Sequence, residues 1–154
     1  WRSMIDASRH APEPNASSAI AAAAGQVCHT IGARAIVALS HSGMTALRVA
    51  RERPEAPVLG LTPHLHTARQ MAVVWGVHPV VTPDVHTMTE AVETAARTTT
   101  AEGFAASGEQ IVVIAGLITA WIAGVDSFDG SSASRYSTEL PKLDGASRQT
   151  AWRI

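Results

Sequence analysis

"AIVALSHSGMTALRVAR", residues 35–51, decides the architecture. Ala35 to Leu39 form an unbroken apolar run, the pattern of a strand covered on both faces. Ser40-His41-Ser42-Gly43 follow directly. From Thr45 onward Ala46, Leu47, Val49 and Ala50 recur at helical spacing, and Pro54 ends a helix predicted over 45–53. "PVLGL" (57–61) supplies a second short apolar strand. A strand, a helix and a strand joined this closely form a crossover unit, which pairs its strands in parallel.

The same alternation extends in both directions. Upstream, Pro12 and Pro14 disfavour helix, and Ser17 or Ser18 is placed to cap a helix with Ile20, Ala24, Val27, Cys28 and Ile31 on one face. Gly32 stops it. Downstream, "TPHLHTARQMAVVWG" (62–76) reads as a loop and helix, with Thr67 as its cap and Trp75 packed on the sheet. "VHPVV" (77–81) is a weaker strand whose proline belongs at a strand start or a sheet edge. Thr87-Met88-Thr89-Glu90 has the form of a capping box. The helix it opens carries Ala91, Val92, Ala95, Ala96 and Phe104 inward and runs to Gly108. "QIVVIAG" (110–116) is the strongest strand. The expected fold is α/β, a three-layer sandwich with a mainly parallel sheet of four to five strands flanked by helices. No internal repeat is visible.

A chain of 154 residues fits one domain, and 46% hydrophobic with 16% charged residues describes a packed interior. The net charge of −1 provides no basic face, so nucleic acid and anionic membrane are not expected partners. No apolar run reaches the roughly 18 residues of a membrane span. The single cysteine, Cys28, rules out an internal disulfide framework and fits a reducing, cytoplasmic compartment, where it serves as a small buried hydrophobe. "WRSMIDASRH" has neither an initiator methionine nor a signal-peptide layout and reads as the middle of a longer chain. Residues 1–16 are expected to be an extended lead-in and interdomain linker, and 17–117 the α/β domain. Residues 118–154 form a divergent tail of disorder-prone composition, with a short helix or strand over 118–125 at most.

Taken in order, "MIDASR", "SSAIAAAAGQV", "ARAIVALSHSGMTALRVARERPEAPVLGLTP", "TARQMAVVWGVHPVV" and "EQIVVIAGL" closely resemble the C-terminal domain of bacterial pyruvate kinases. The resemblance covers residues 1–117. It implies an α/β regulatory domain that carries the allosteric effector site and forms one subunit contact of a homo-oligomer. It also implies a catalytic barrel domain as partner, with the transfer of phosphate from phosphoenolpyruvate to ADP, and its magnesium and potassium, located there. No cofactor, metal site or catalytic residue is expected in the present chain.

Ser40, His41, Ser42, Gly43 and Thr45 are the candidate site. Backbone N–H groups and hydroxyls at a helix start make an anion seat, and Gly43 lets the backbone approach a ligand. In the resembled family the loop Thr/Ser-x-Ser-Gly-x-Ser/Thr grips the phosphate of a sugar-phosphate effector, and Ser40, Ser42, Gly43 and Thr45 match it. Met44 stands where a basic or polar residue is common. The loop expected to close over the effector reads "GLITAWIAG", and the family's final strand is not recognisable, which leaves Ile111 to Ile114 as an unprotected edge. The competing reading makes the loop a plain helix cap with Ser42 as the capping residue. His64 and His66 lack a third ligand for a metal. No acid is apparent to orient His41 as a base, and His29 is a surface or interface residue. Arg48, Arg51 and Arg53 form a stripe that is a solvated face or, as the resemblance implies, part of an intersubunit or interdomain contact, and Arg69 could reach a neighbouring domain. Two alternatives to the regulatory module are a free-standing binder of a sugar phosphate or nucleotide and a structural remnant without a ligand.

Overall fold

A computed structural model describes residues 15–115 and 119–124. Helix α1 (Ala16–Ile31) leads into β1 (Ala35–Leu39), α2 (Met44–Arg51), β2 (Val58–Thr62), α3 (Leu65–Met71) and β3 (Val77–Val81). Then come α4 (Met88–Ala101), β4 (Gln110–Ala115) and β5 (Thr119–Gly124). The sheet order is β3-β2-β1-β4-β5. The first four strands are mutually parallel, and β5 runs antiparallel along β4, from Gln110 opposite Gly124 to Ala115 opposite Thr119. This is the expected α/β fold with a mainly parallel sheet.

Alternation along β1 builds the three layers. Ile36 and Ala38 join Ala21, Ala24 and Cys28 of α1, Ala46 and Val49 of α2, and Met71 of α3. Ala35, Val37 and Leu39 face the other way, toward Ala91 and Ala95 of α4. Burying each large aliphatic chain such as Ile36, Leu59 or Ile111 contributes about 1.5–3 kcal/mol. In β2, Gly60 has no side chain because Met71 occupies that space: a Cβ there would lie 2.7 Å from the Met71 sulfur. Proline-bearing β3 takes the sheet edge, half-buried, as its missing N–H requires. Cys28 is buried, its thiol donating to the Ala33 carbonyl at 3.4 Å, and burial pushes the thiol pKa up.

Several local expectations are corrected. The cap of α1 is Asn15, whose side chain accepts from the Ser18 N–H at 2.8 Å, so the helix starts earlier than Ser17 or Ser18 would allow. Helix α2 stops at Arg51, because the residue before Pro54 is forced out of the helical region and Arg53 sits at φ 48°. Thr67 does not cap α3: His64 holds that position, and Thr67 is buried within the helix. Trp75 is 62% exposed, not packed on the sheet. The outer side of β4 is not left open, since β5 lies along it. That strand falls within the stretch 118–154, whose remaining residues, like residues 1–14, lie outside the described ones. Among the described residues no helix is long and apolar enough to cross a membrane.

Candidate functional site

Parallel strands deliver their following loops to one end of the sheet, and ligand crevices of open α/β sheets lie at that end. Here the loops after β1 and β3 enclose a cleft of about 470 Å³. Leu39, Leu61 and Ala115 form its apolar floor, with Ser40, His41, Ser42 and Thr45 on one wall and Thr82 to Met88 on the other.

The first wall is built by a short sequence of constraints. The Ser40 N–H donates to the Leu61 carbonyl at 2.9 Å, extending the parallel pairing one residue past β1. The His41 carbonyl then accepts from the Thr67 hydroxyl at 3.0 Å and from the Thr62 hydroxyl at 3.5 Å, which tethers the turn to α3 and β2. Gly43 is doubly required. It holds φ 77°, and a Cβ there would meet the Met71 Cγ at 3.1 Å and the Thr67 Cγ2 at 3.2 Å. Gly43, not Ser42, is the capping residue of α2, and no side chain caps it. The reading of Ser42 as a helix cap is therefore overturned. The first bond of the helix runs from the Leu47 N–H to the Gly43 carbonyl at 3.1 Å. The N–H groups of Met44, Thr45 and Ala46 precede it, and among the described residues they have no acceptor.

The second wall is closed. The Thr87 hydroxyl accepts from the Glu90 N–H at 3.2 Å, as the capping box predicts. The Glu90 carboxylate returns to the His86 N–H at 2.9 Å. Asp84 accepts from the Val85 N–H at 3.0 Å and lies 2.9 Å from the His41 Nε2. This contact corrects the expectation that no acid orients His41. Burial works to raise the Asp84 pKa, but the hydrogen bond and charge of His41, the Val85 N–H and the charge of His86 outweigh it and hold the carboxyl below its ordinary range. The Glu90 carboxyl is also lowered, first by the His86 N–H and against a smaller burial penalty. Among the described residues lining the cleft there is no lysine or arginine.

The structure thus brings Ser40, His41, Ser42 and Thr45 together, with Gly43 buried behind them, while Met44 turns outward at 43% exposure. His64 and His66 are exposed and stack with ring centroids 5.4 Å apart, and His64 lies 5.7 Å from His41. Among the described residues no three potential ligands converge on a metal position. Arg48 and Arg51 occupy the last turn of α2, the end of the helix where cations are favoured. His29 is exposed, 3.8 Å from Glu55, and Arg69 is exposed. Sequence reasoning missed Asp84 and His86. The only available signal was their place in the loop after a parallel strand, which must open at the same end as Ser40.

Residues 18–126 match the family model described as the pyruvate kinase alpha/beta domain. A pyruvate kinase of Methylorubrum extorquens is 45% identical over 115 residues, covering 75% of this chain and 24% of that protein. One from Agrobacterium vitis is 37% identical, with the same two shares covered. The chain thus spans about a quarter of the length of these curated relatives. A crystal structure of Cryptosporidium parvum pyruvate kinase shares the fold at TM-score 0.66 and 24% identity, over 73% of this chain and 23% of that one. A parallel sheet with this helix arrangement, matched by family model, relatives and fold, leaves one assignment: the chain belongs to the pyruvate kinase family and carries its C-terminal alpha/beta domain.

Proposed function

We propose that this domain is the regulatory and oligomerising part of a cytoplasmic pyruvate kinase and that it binds a phosphorylated effector through Ser40, His41, Ser42, Gly43 and Thr45. The observation that carries the reading is the uncapped start of α2, which opens beside a cleft at the carboxyl end of β1. Unpaired N–H groups, the positive end of the helix dipole and the hydroxyls of Ser40, Ser42 and Thr45 offer an anion what bulk water would otherwise supply. The parent enzyme would transfer phosphate from phosphoenolpyruvate to ADP on its barrel domain, with magnesium and potassium held there. Effector binding here would act by favouring one arrangement of subunits over another.

Thermal unfolding of the 154-residue chain against fructose bisphosphate, glucose phosphate, ribose phosphate and AMP tests the reading. A ligand present at 100 times its dissociation constant stabilises the fold by about 2.7 kcal/mol. A raised midpoint that disappears in Ser42→Ala and Thr45→Val is the expected outcome. No shift from any of the four would leave the domain as a structural scaffold. A mass measurement in solution checks the oligomeric half of the proposal, and a strictly monomeric chain would count against it.

A further inference from the structure

This inference rests on the reading that the cleft takes an anion, and it concerns how that anion is held. The cleft has an unusual charge balance for such a ligand. The described residues lining it include the Asp84 carboxylate and the imidazoles of His41 and His86, but no lysine or arginine. With both imidazoles neutral, the net side-chain charge facing a ligand is negative.

The His41–Asp84 contact makes the charge state of His41 decisive. Asp84 lies 2.9 Å from Nε2, and an ionised carboxylate can only accept, so a neutral His41 must carry its proton on Nε2. Nδ1 then presents a lone pair, which repels an anion. Among the described residues Nδ1 has no hydrogen-bond partner. A second proton converts Nδ1 into an N–H donor and adds a positive charge to the ring, while Asp84 keeps its place on Nε2. One proton thus changes the same nitrogen from repelling an anion to binding it. We infer that the cleft binds an anionic head group together with one proton, taken up by His41 and directed to Nδ1 by Asp84.

The other titratable groups around His41 belong to the β3–α4 loop and to the starts of α3 and α4. His86 lines the same cleft, and Glu90 accepts its backbone N–H. His64 lies 5.7 Å away, ring to ring, and His66 stacks on His64. The low pKa of Asp84 keeps it ionised across the range in which histidine titrates.

Isothermal titration of the 154-residue chain with inorganic sulfate, at pH 5.5, 6.5 and 7.5, tests the inference. Sulfate remains a dianion throughout, so any pH dependence belongs to the protein. For one coupled histidine proton, the sulfate dissociation constant should rise about tenfold from pH 5.5 to 7.5. The dependence should vanish in His41→Gln and persist in His86→Gln. Asp84→Asn, which removes the carboxylate and frees the tautomer, should tighten binding at pH 7.5 and flatten the profile. Sulfate binding with one constant across the range overturns the proton linkage while leaving the effector site standing. A dependence lost in His86→Gln and kept in His41→Gln overturns the assignment to His41. Failure of sulfate to bind at pH 5.5 also overturns the inference, and only if the phosphorylated metabolites fail as well does the effector site fall with it.

Discussion

Helices α2 and α4 begin on opposite walls of one cleft and solve the same problem in opposite ways. Each has N–H groups at its start that its own carbonyls cannot reach. Helix α4 satisfies one of them internally: Thr87 accepts from the Glu90 N–H, and the Glu90 carboxylate lies in the first turn, where the helix dipole favours it. Helix α2 has no capping side chain and no acidic residue in its first turn, and it enters through a glycine in the left-handed region. The capped start adds to stability and presents a carboxylate, Glu90, where an anionic ligand would have to sit. The open start gives up that stability and keeps its donors available.

Substitutions at the two starts should separate these roles. The largest effect is expected at the turn into α2. Gly43→Ala adds a left-handed backbone penalty and a Cβ pressed against Met71 and Thr67, a loss of about 2–3 kcal/mol in denaturant unfolding, with anion binding abolished. Next, Thr87→Ala should cost about 1 kcal/mol through loss of its cap, and the response to phosphorylated ligands should stay intact. Ser42→Ala should do the reverse: a change within about 0.5 kcal/mol in stability, since Ser42 caps nothing, and loss of the ligand-induced shift. Equal destabilisation by Thr87→Ala and Ser42→Ala would erase the contrast between the two helices.

The smallest effect concerns pH. Glu90 titrates below its usual 4.5 in the folded state, so its contribution is present above that value and is lost as pH falls through the lower, folded pKa. The thermal midpoint should therefore fall on acidification below pH 4.5, and it should fall less in Glu90→Gln. Identical acid profiles for the two proteins would mean that the Glu90–His86 bond contributes nothing in solution.

Much of the fold was legible because it depends on local pattern. The bounds of β1 and β3 follow from the short runs Ala35–Leu39 and Val77–Val81, and Pro79 restricted β3 to a strand start or an edge, of which the sheet order selects the edge. The capping box at Thr87 is likewise a matter of four adjacent residues. Helix starts were harder where several small polar residues compete. Asn15, Ser17 and Ser18 can all accept from a backbone N–H, and only the backbone path selects Asn15. Thr67 resembles a cap in sequence, yet its hydroxyl is drawn inward to the His41 carbonyl. Strand β5 was legible only as a short helix or strand over 118–125, because "TAWIAG" gains its strand character from pairing with β4, not from any alternation of its own.

The sequence by itself determined the α/β alternation, the place of the Ser40 to Thr45 loop between a strand and a helix, and the family, because each resides in residue order and short spacing. Only the tertiary structure decided that α2 starts uncapped and that His41 meets Asp84. Those two residues stand 43 positions apart, on loops that follow strands separated by β2. Strand order and the reach of two loops set their distance, and no local pattern in the chain encodes either one.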